Sequence, residues 1–283
     1  MSLPRLSLLV AGLGSVAAVC TGCGGGAAPP SSAGRITPVV RSALAAWSRF
    51  PVHASSRPLV LIEDDDVNAP ALGFRDVADK LAYQNGAVTA PSVFPPGPAS
   101  AGGYRLIGPV AAFGLLVEHK TQGPSSPSSL TVTTVTLGSG EFDTDRGSRR
   151  LPAWLFRFDG VQNPAEVLAV SPSEIFAAPT PRHATETSVG AATLGPDGRT
   201  LTVTFAGAPT GHGPCTASYT MSVGSSVTAV AVEVHAHPHA SHVACLAEAR
   251  ADHLSAELAG PLGNRVVVDA PSLNAVPVTP AAS

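Results

Sequence analysis

Glycine and proline punctuate this chain so densely that long helices are excluded over most of its length. The 283 residues include 28 Gly and 27 Pro, many of them clustered between short apolar runs, and each cluster ends the regular element before it. The runs themselves alternate. Leu201, Val203 and Phe205 interleave with Thr200, Thr202 and Thr204 directly after the turn Gly195-Pro196-Asp197-Gly198, which is the period of two of a half-buried strand. Between Cys215 and Val223, Ala217, Tyr219 and Met221 alternate with Thr216, Ser218, Thr220 and Ser222. Gly224 to Ser226 then leads into Val227 to Val234, where Val230, Val232 and Val234 share one face. With further runs at Val243 to Arg250 and Arg265 to Ala270, residues 188–279 are predicted to form a meander folded into an antiparallel sandwich or partial barrel.

The first half, residues 35–176, reads as α+β, so the chain as a whole is expected to be mainly β with one or more short helices. Pro58 to Ile62 is a short apolar strand running into the acids Glu63 to Asp66. From Ala71 to Asn85 the residues Leu72, Phe74, Val77, Ala78, Leu81 and Ala82 form one stripe at helical spacing, and Asn85-Gly86 supplies the stop. Strand-like runs follow at Tyr104 to Leu106, Phe113 to His119, Leu130 to Leu137, Ala153 to Phe158 and Val167 to Val170. Residues 177–187, with Pro179 and Pro181, read as a linker between the two halves.

Charge excludes one class of partner. The formal net charge is −3, Lys80 and Lys120 are the only lysines, and no basic block exceeds Arg149-Arg150. A nucleic-acid backbone needs a basic stripe that this chain lacks.

The N-terminus carries the most specific signal. Arg5 precedes an uncharged apolar run from Leu6 to Val19, followed by small residues, which is the order of a secretory signal peptide. The run is shorter than the roughly 20 residues a membrane span requires. Gly22 before Cys23 resembles the lipobox of bacterial lipoproteins, which are cleaved just ahead of a Cys that then receives lipid. Cys20 fits less well, because Val19 stands where the small residue is needed. Together with the Arg-over-Lys and Ala/Gly/Pro/Val bias, the chain is similar to exported lipoproteins of actinobacterial type. The segment Phe142 to Phe158 resembles a strand pair found in uncharacterised proteins of that kind, and it carries no known activity. The resemblance implies a signal peptide over residues 1–22, a lipid anchor on Cys23 as the membrane partner, and an address at the outer face of the cytoplasmic membrane. Residues 24–34 are only Gly, Ala, Pro, Ser and, at the end, Gly34. Such a tether spans about 18 Å root mean square.

If Cys20 leaves with the signal and Cys23 is lipidated, Cys215 and Cys245 remain, and in an oxidising compartment they are expected to pair. Cys215 extends the apolar alternation of its strand, which places the expected bridge in or beside the core. The run His235-Ala236-His237-Pro238-His239-Ala240-Ser241-His242 is the most unusual chemistry in the chain. If the preceding strand continues, Glu233, His235, His237 and His239 fall on the face opposite Val230, Val232 and Val234, expected to be the solvent side. Neighbouring imidazoles on a strand suit Zn, Cu or Ni, whereas Pro238 points to a strand end in a loop, where the four His need not converge.

Other constellations are weaker. The acids Glu63 to Asp66 read as a solvated loop. Glu141-x-Asp143-x-Asp145 fails the calcium-loop pattern, because Gly147 is one place late and Pro152 stands where the bidentate Glu belongs. No G-x-S-x-G, phosphate-cradling loop or H-E-x-x-H motif occurs after the signal region. The expectation is therefore a membrane-anchored, non-catalytic binding or structural module without a resident cofactor. The alternative is a transition-metal-binding lipoprotein that uses His235, His237, His239 and His242.

Overall fold

The computed structural model describes residues 36–62, 66–70, 73–118, 129–240, 245 and 249–281. They form a mainly β molecule of α+β class whose second half is a sandwich of two sheets.

The chain enters at helix α1 (Pro38–Ala46). Thr37 caps it, its hydroxyl accepting from Val40 N at 3.1 Å, and Pro38 occupies the first turn, where a missing N–H costs nothing. Two short strands, β1 (Val67–Asn68) and β2 (Val88–Thr89), flank helix α2 (Val77–Gln84). Helix α2 starts later than its sequence stripe suggests. Asp76 caps it, Gly73 has a φ of +100°, and Phe74 forms a bridge to Val161, so the helix expected from Ala71 is not formed at Gly73 and Phe74 and begins only at Val77. Residues 71 and 72 lie outside the described residues. The expected stop holds, with Asn85 at the C-cap and Gly86 at a φ of +69°.

A small hairpin, β3 (Ser100–Ala101) with β4 (Tyr104–Arg105), precedes helix α3 (Pro109–Glu118). This helix corrects the strand expected over Phe113 to His119. Its apolar run has no period of two, and Pro109 at its first position favours helix initiation.

The long hairpin β5 (Leu130–Thr144) and β6 (Gly147–Phe158) follows, then β7 (Ala165–Leu168). These complete a five-stranded sheet in the order β1-β7-β6-β5-β2. Helices α2 and α3 cover one face through Ala82, Tyr83, Ala112 and Leu116 against Leu130, Trp154, Phe156 and Phe158. The opposite face packs Phe142, Leu151, Ala153 and Leu168 against Leu59 and Leu61. Residues 58–62 are thus extended as expected, but they make only isolated bridges, Leu59 to Ile175 and Leu61 to Thr144.

In the second half, β8 (Val189–Leu194), β9 (Thr200–Gly207), β10 (Ala217–Ser225), β11 (Ala229–Pro238), β12 (Arg250–Glu257), β13 (Val266–Asp269) and β14 (Val278–Pro280) make two sheets, β10-β11-β13 and β12-β9-β8-β14. They pack face to face over Leu201, Val203, Phe205, Met221, Val230, Val232, Val234 and Val267. The Thr/Leu alternation of β9 and the Val alternation of β11 therefore point where the sequence predicts. The connectivity is not a meander. After β11 the chain crosses to the other sheet for β12 and returns as β13 parallel to β11. The expected strand Val243 to Arg250 is corrected at its end, since β12 begins at Arg250; residues 243, 244 and 246–248 lie outside the described residues. The turn before β9 is held by Asp197, which accepts from Arg199 N, Thr200 N and the Thr200 hydroxyl. Those bonds, the hydroxyl's first, hold its carboxyl at about 2, so the turn's carboxylate contribution persists above the ordinary range and is lost as pH falls toward that value.

Helix α1 packs on the outer face of β10-β11-β13, not on the sheet of its own half. Val40, Ala43 and Trp47 bury against Ala229, Ala231, Val266 and Val268. The approach is close enough to require Gly224, where an added Cβ would stand 2.5 Å from Val40 Cγ1. Segment 177–187 crosses the same region without regular structure; Ala178 joins that apolar cluster and Arg182 N donates to Ser272 O at 2.7 Å.

The tip of the β5–β6 hairpin joins the two halves. Asp145 and Arg146 alone connect the strands, with Gly147 at a φ of +78°. Asp145 N donates to Val60 O, and Val278 N donates to Asp145 O at 3.1 Å. The Asp145 side chain is 1% exposed and takes both forks of the Arg57 guanidinium. Arg57 in turn lies 4.9 Å over the Phe50 ring. No helix among the described residues is long and apolar enough to cross a membrane.

Candidate functional site

The polar end of the β10–β11 ribbon concentrates the chain's unusual side chains. Strand β11 continues to Pro238 and ends there, so its alternation carries Ala229, Ala231, Glu233, His235 and His237 on one face, with His239 just beyond. Helix α1 covers the start of that face. The face begins buried, at Ala229 and Ala231, and opens from Glu233 onward: Glu233 and His235 are half-buried, and His237 and His239 are exposed as expected.

Glu233 marks the boundary. Its carboxylate accepts from the Thr37 hydroxyl, and it lies 3.8 Å from His235 Nε2. Beyond it the imidazoles lean across to β10. Ser222 Oγ and His235 Nε2 are 2.9 Å apart, as are Thr220 Oγ1 and His237 Nε2, and Thr216 Oγ1 and His239 Nδ1. The register explains this ladder, because Ser222 faces Glu233 and Thr220 faces His235, which leaves the His235 and His237 rings diagonal to the next hydroxyl, while His239 stands across from Thr216 and donates its backbone N–H to Thr216 O.

The arrangement fits hydrogen bonding better than catalysis. Ser222 and Glu233 both address the same nitrogen of His235, whereas a nucleophile relay needs the acid on Nδ1 and the hydroxyl on Nε2. Among the described residues no group of three or more His, Cys, Asp or Glu could hold a metal ion. His235, His237 and His239 thus share a strand face but each turns to its own hydroxyl. His242, Glu63 to Asp65 and Cys23 lie outside the described residues.

The disulfide closes this end of the sandwich. Cys215 and Cys245 are joined, with their Cα atoms 5.6 Å apart. Both are exposed, which corrects the expected core position. Strand β10 begins only at Ala217, so Cys215 belongs to the preceding turn and the strand's alternation does not reach it.

Beside the bridge, the edge strands β10 and β12 approach one another. A cleft of about 440 Å³ opens there, lined by His212, Ser218, Tyr219, His239, Asp252 and Leu254 among others. Burial pushes the Tyr219 phenol up, and its hydroxyl donates to Ala208 O at 2.8 Å. Its ring rests edge-on against Phe205 at 4.9 Å. Gly207 is required beneath it, since an added Cβ would come 2.5 Å from the Tyr219 oxygen. Sequence reasoning found the histidine face through its period of two, and it missed His212 and Asp252, which come from a turn and an edge strand with no motif between them.

No protein-family model, curated protein or solved structure matches this chain.

If the histidine face is a hydrogen-bonded surface, replacing His235, His237 and His239 together with Ala should shift the unfolding free energy by less than about 1 kcal/mol, because exposed positions tolerate change. Adding Zn²⁺, Cu²⁺ or Ni²⁺ should leave parent and variant melting alike. A tight one-to-one metal site lost in the variant would reverse the reading.

Proposed function

We propose that this chain is an exported lipoprotein of the bacterial cell envelope that presents a non-catalytic binding or structural module at the outer face of the cytoplasmic membrane. In this reading residues 1–22 are removed, Cys23 carries the lipid, and residues 24–34 tether the folded part. The Cys215–Cys245 disulfide supports it most directly. Two exposed thiols kept in a reducing cytosol have no reason to pair, whereas export makes such bridges routine. The position of α1 is consistent with the tether: Thr37, on the β11 face beside Glu233, is where the tether would meet the fold. That would leave the Glu233 end of the histidine face about 20 Å root mean square from the headgroups.

The test is a Cys23→Ser variant expressed in an actinobacterial host and followed by metabolic labelling with an alkyne fatty acid. The label should be lost, and the protein should move from the membrane fraction to the medium or the soluble fraction. Undiminished labelling of Cys23→Ser would refute the anchor.

A further inference from the structure

The hairpin tip holds one guanidinium more than its acids can pair. Asp145 is engaged through both oxygens by Arg57, while Arg146 Nε stands 3.9 Å from the same carboxylate. Arg146 directs Nη2 to the carbonyls of Gly263 and Arg265, each at 2.8 Å. Its Nε faces the Asp145 carboxylate, and its Nη1 has no hydrogen-bond partner among the described residues, although its side chain is only 26% exposed. Arg265 nearby adds a further positive charge, and its donors go to the carbonyls of Gly260, Pro261 and Leu262.

Arg146 borders a cleft of about 530 Å³ whose other walls include Leu194, Pro196, Val278, Pro280 and Ala281. This size lies within the roughly 300 to 1,000 Å³ of small-molecule sites. A half-buried cation with open donors at the end of an apolar cleft is complementary to an anion on an apolar body. The Asp145 carboxylate beside Nε repels a dianion more strongly than a single negative charge. Burial lowers the Arg146 guanidinium from its ordinary value, which a bound anion would offset.

We propose that this cleft binds a monoanionic carboxylate carried on an apolar chain, with Arg146 Nη1 donating to the carboxylate and the Leu194–Val278 walls covering the chain. The site does not depend on the lipid anchor or on the histidine face.

Calorimetric titration of the purified protein with dodecanoate, below its micellar concentration, tests this. The expected result is saturable one-to-one binding that weakens at least tenfold in Arg146→Gln and partly returns in Arg146→Lys. Methyl dodecanoate, which lacks the charge, should bind parent and Arg146→Gln alike. Pro196 is exposed at the rim, so Pro196→Glu should leave the fold intact and weaken dodecanoate several-fold by repulsion. If Arg146→Gln fails to fold by circular dichroism, Pro196→Glu decides. Absence of saturable binding to the parent, a folded Arg146→Gln of unchanged affinity, or an unaffected Pro196→Glu each overturns the proposal.

Discussion

Replacing Asp145 with Ala is expected to lower the unfolding free energy by about 3 to 5 kcal/mol, the range for removing one partner of a buried ion pair. Asp145 is 1% exposed but Arg57 18%, so the orphaned guanidinium keeps some access to water, and the lower end of the range is the better expectation. The loss should be felt as a weakened joint, because the same tip anchors Val60 on one side and Val278 on the other. Combining Asp145→Ala with Arg57→Met should cost less than the sum of the single variants, since the second change removes the stranded charge. Urea unfolding of the four proteins measures both statements. A single-variant loss under about 1 kcal/mol, or simple additivity, would show that the pair does not hold the halves together.

The second large effect belongs to the disulfide. Replacing Cys215 and Cys245 with Ser is expected to cost about 3 to 4 kcal/mol in the chain-entropy model, given the separation of 30 residues. The bridge lies on the surface, so the change leaves no cavity, and the effect should come through the unfolded chain instead of through lost packing. Unfolding with and without a dithiol reductant should reproduce the same difference in the parent and none in the double variant. Free thiols at both positions in protein recovered from the cell envelope would contradict the pairing and remove the support it lends to the export reading.

Much of the sandwich was legible because its strands bury one face and wet the other. In β9 the period of two assigns Leu201, Val203 and Phe205 inward without any knowledge of their partners, and in β11 it assigns Val230, Val232 and Val234 in the same way. Where burial is not one-sided the pattern fails. Helix α3 is apolar nearly all round and carries no period, so its residues read equally as a buried strand. Strand β12 is an exposed edge with only Leu254 and Ala256 turned toward the core, too few to announce it. Helix α1 has signals in Thr37, Pro38 and the Val40, Ala43, Trp47 spacing, but nine residues are too few for a helical stripe to stand out.

The site divides along the same line. That Glu233, His235 and His237 share a face follows from local geometry. That His235 and His237 meet Ser222 and Thr220 depends on the register of a hairpin, which its turn and the packing of α1 decide. The Arg57–Asp145 pair lies 88 positions apart, and no local pattern could have joined it. The exposed disulfide shows the converse error, in which a strand's alternation was carried two residues past its true start.

The claim that this is an exported, lipid-anchored module is tested most directly by mass spectrometry of the N-terminal peptide from protein extracted out of the membrane fraction. The account predicts a mature chain that begins at Cys23 and carries a thioether-linked diacylglycerol. A membrane-fraction protein that retains Met1, or one whose Cys23 is found unmodified within a longer peptide, would contradict it.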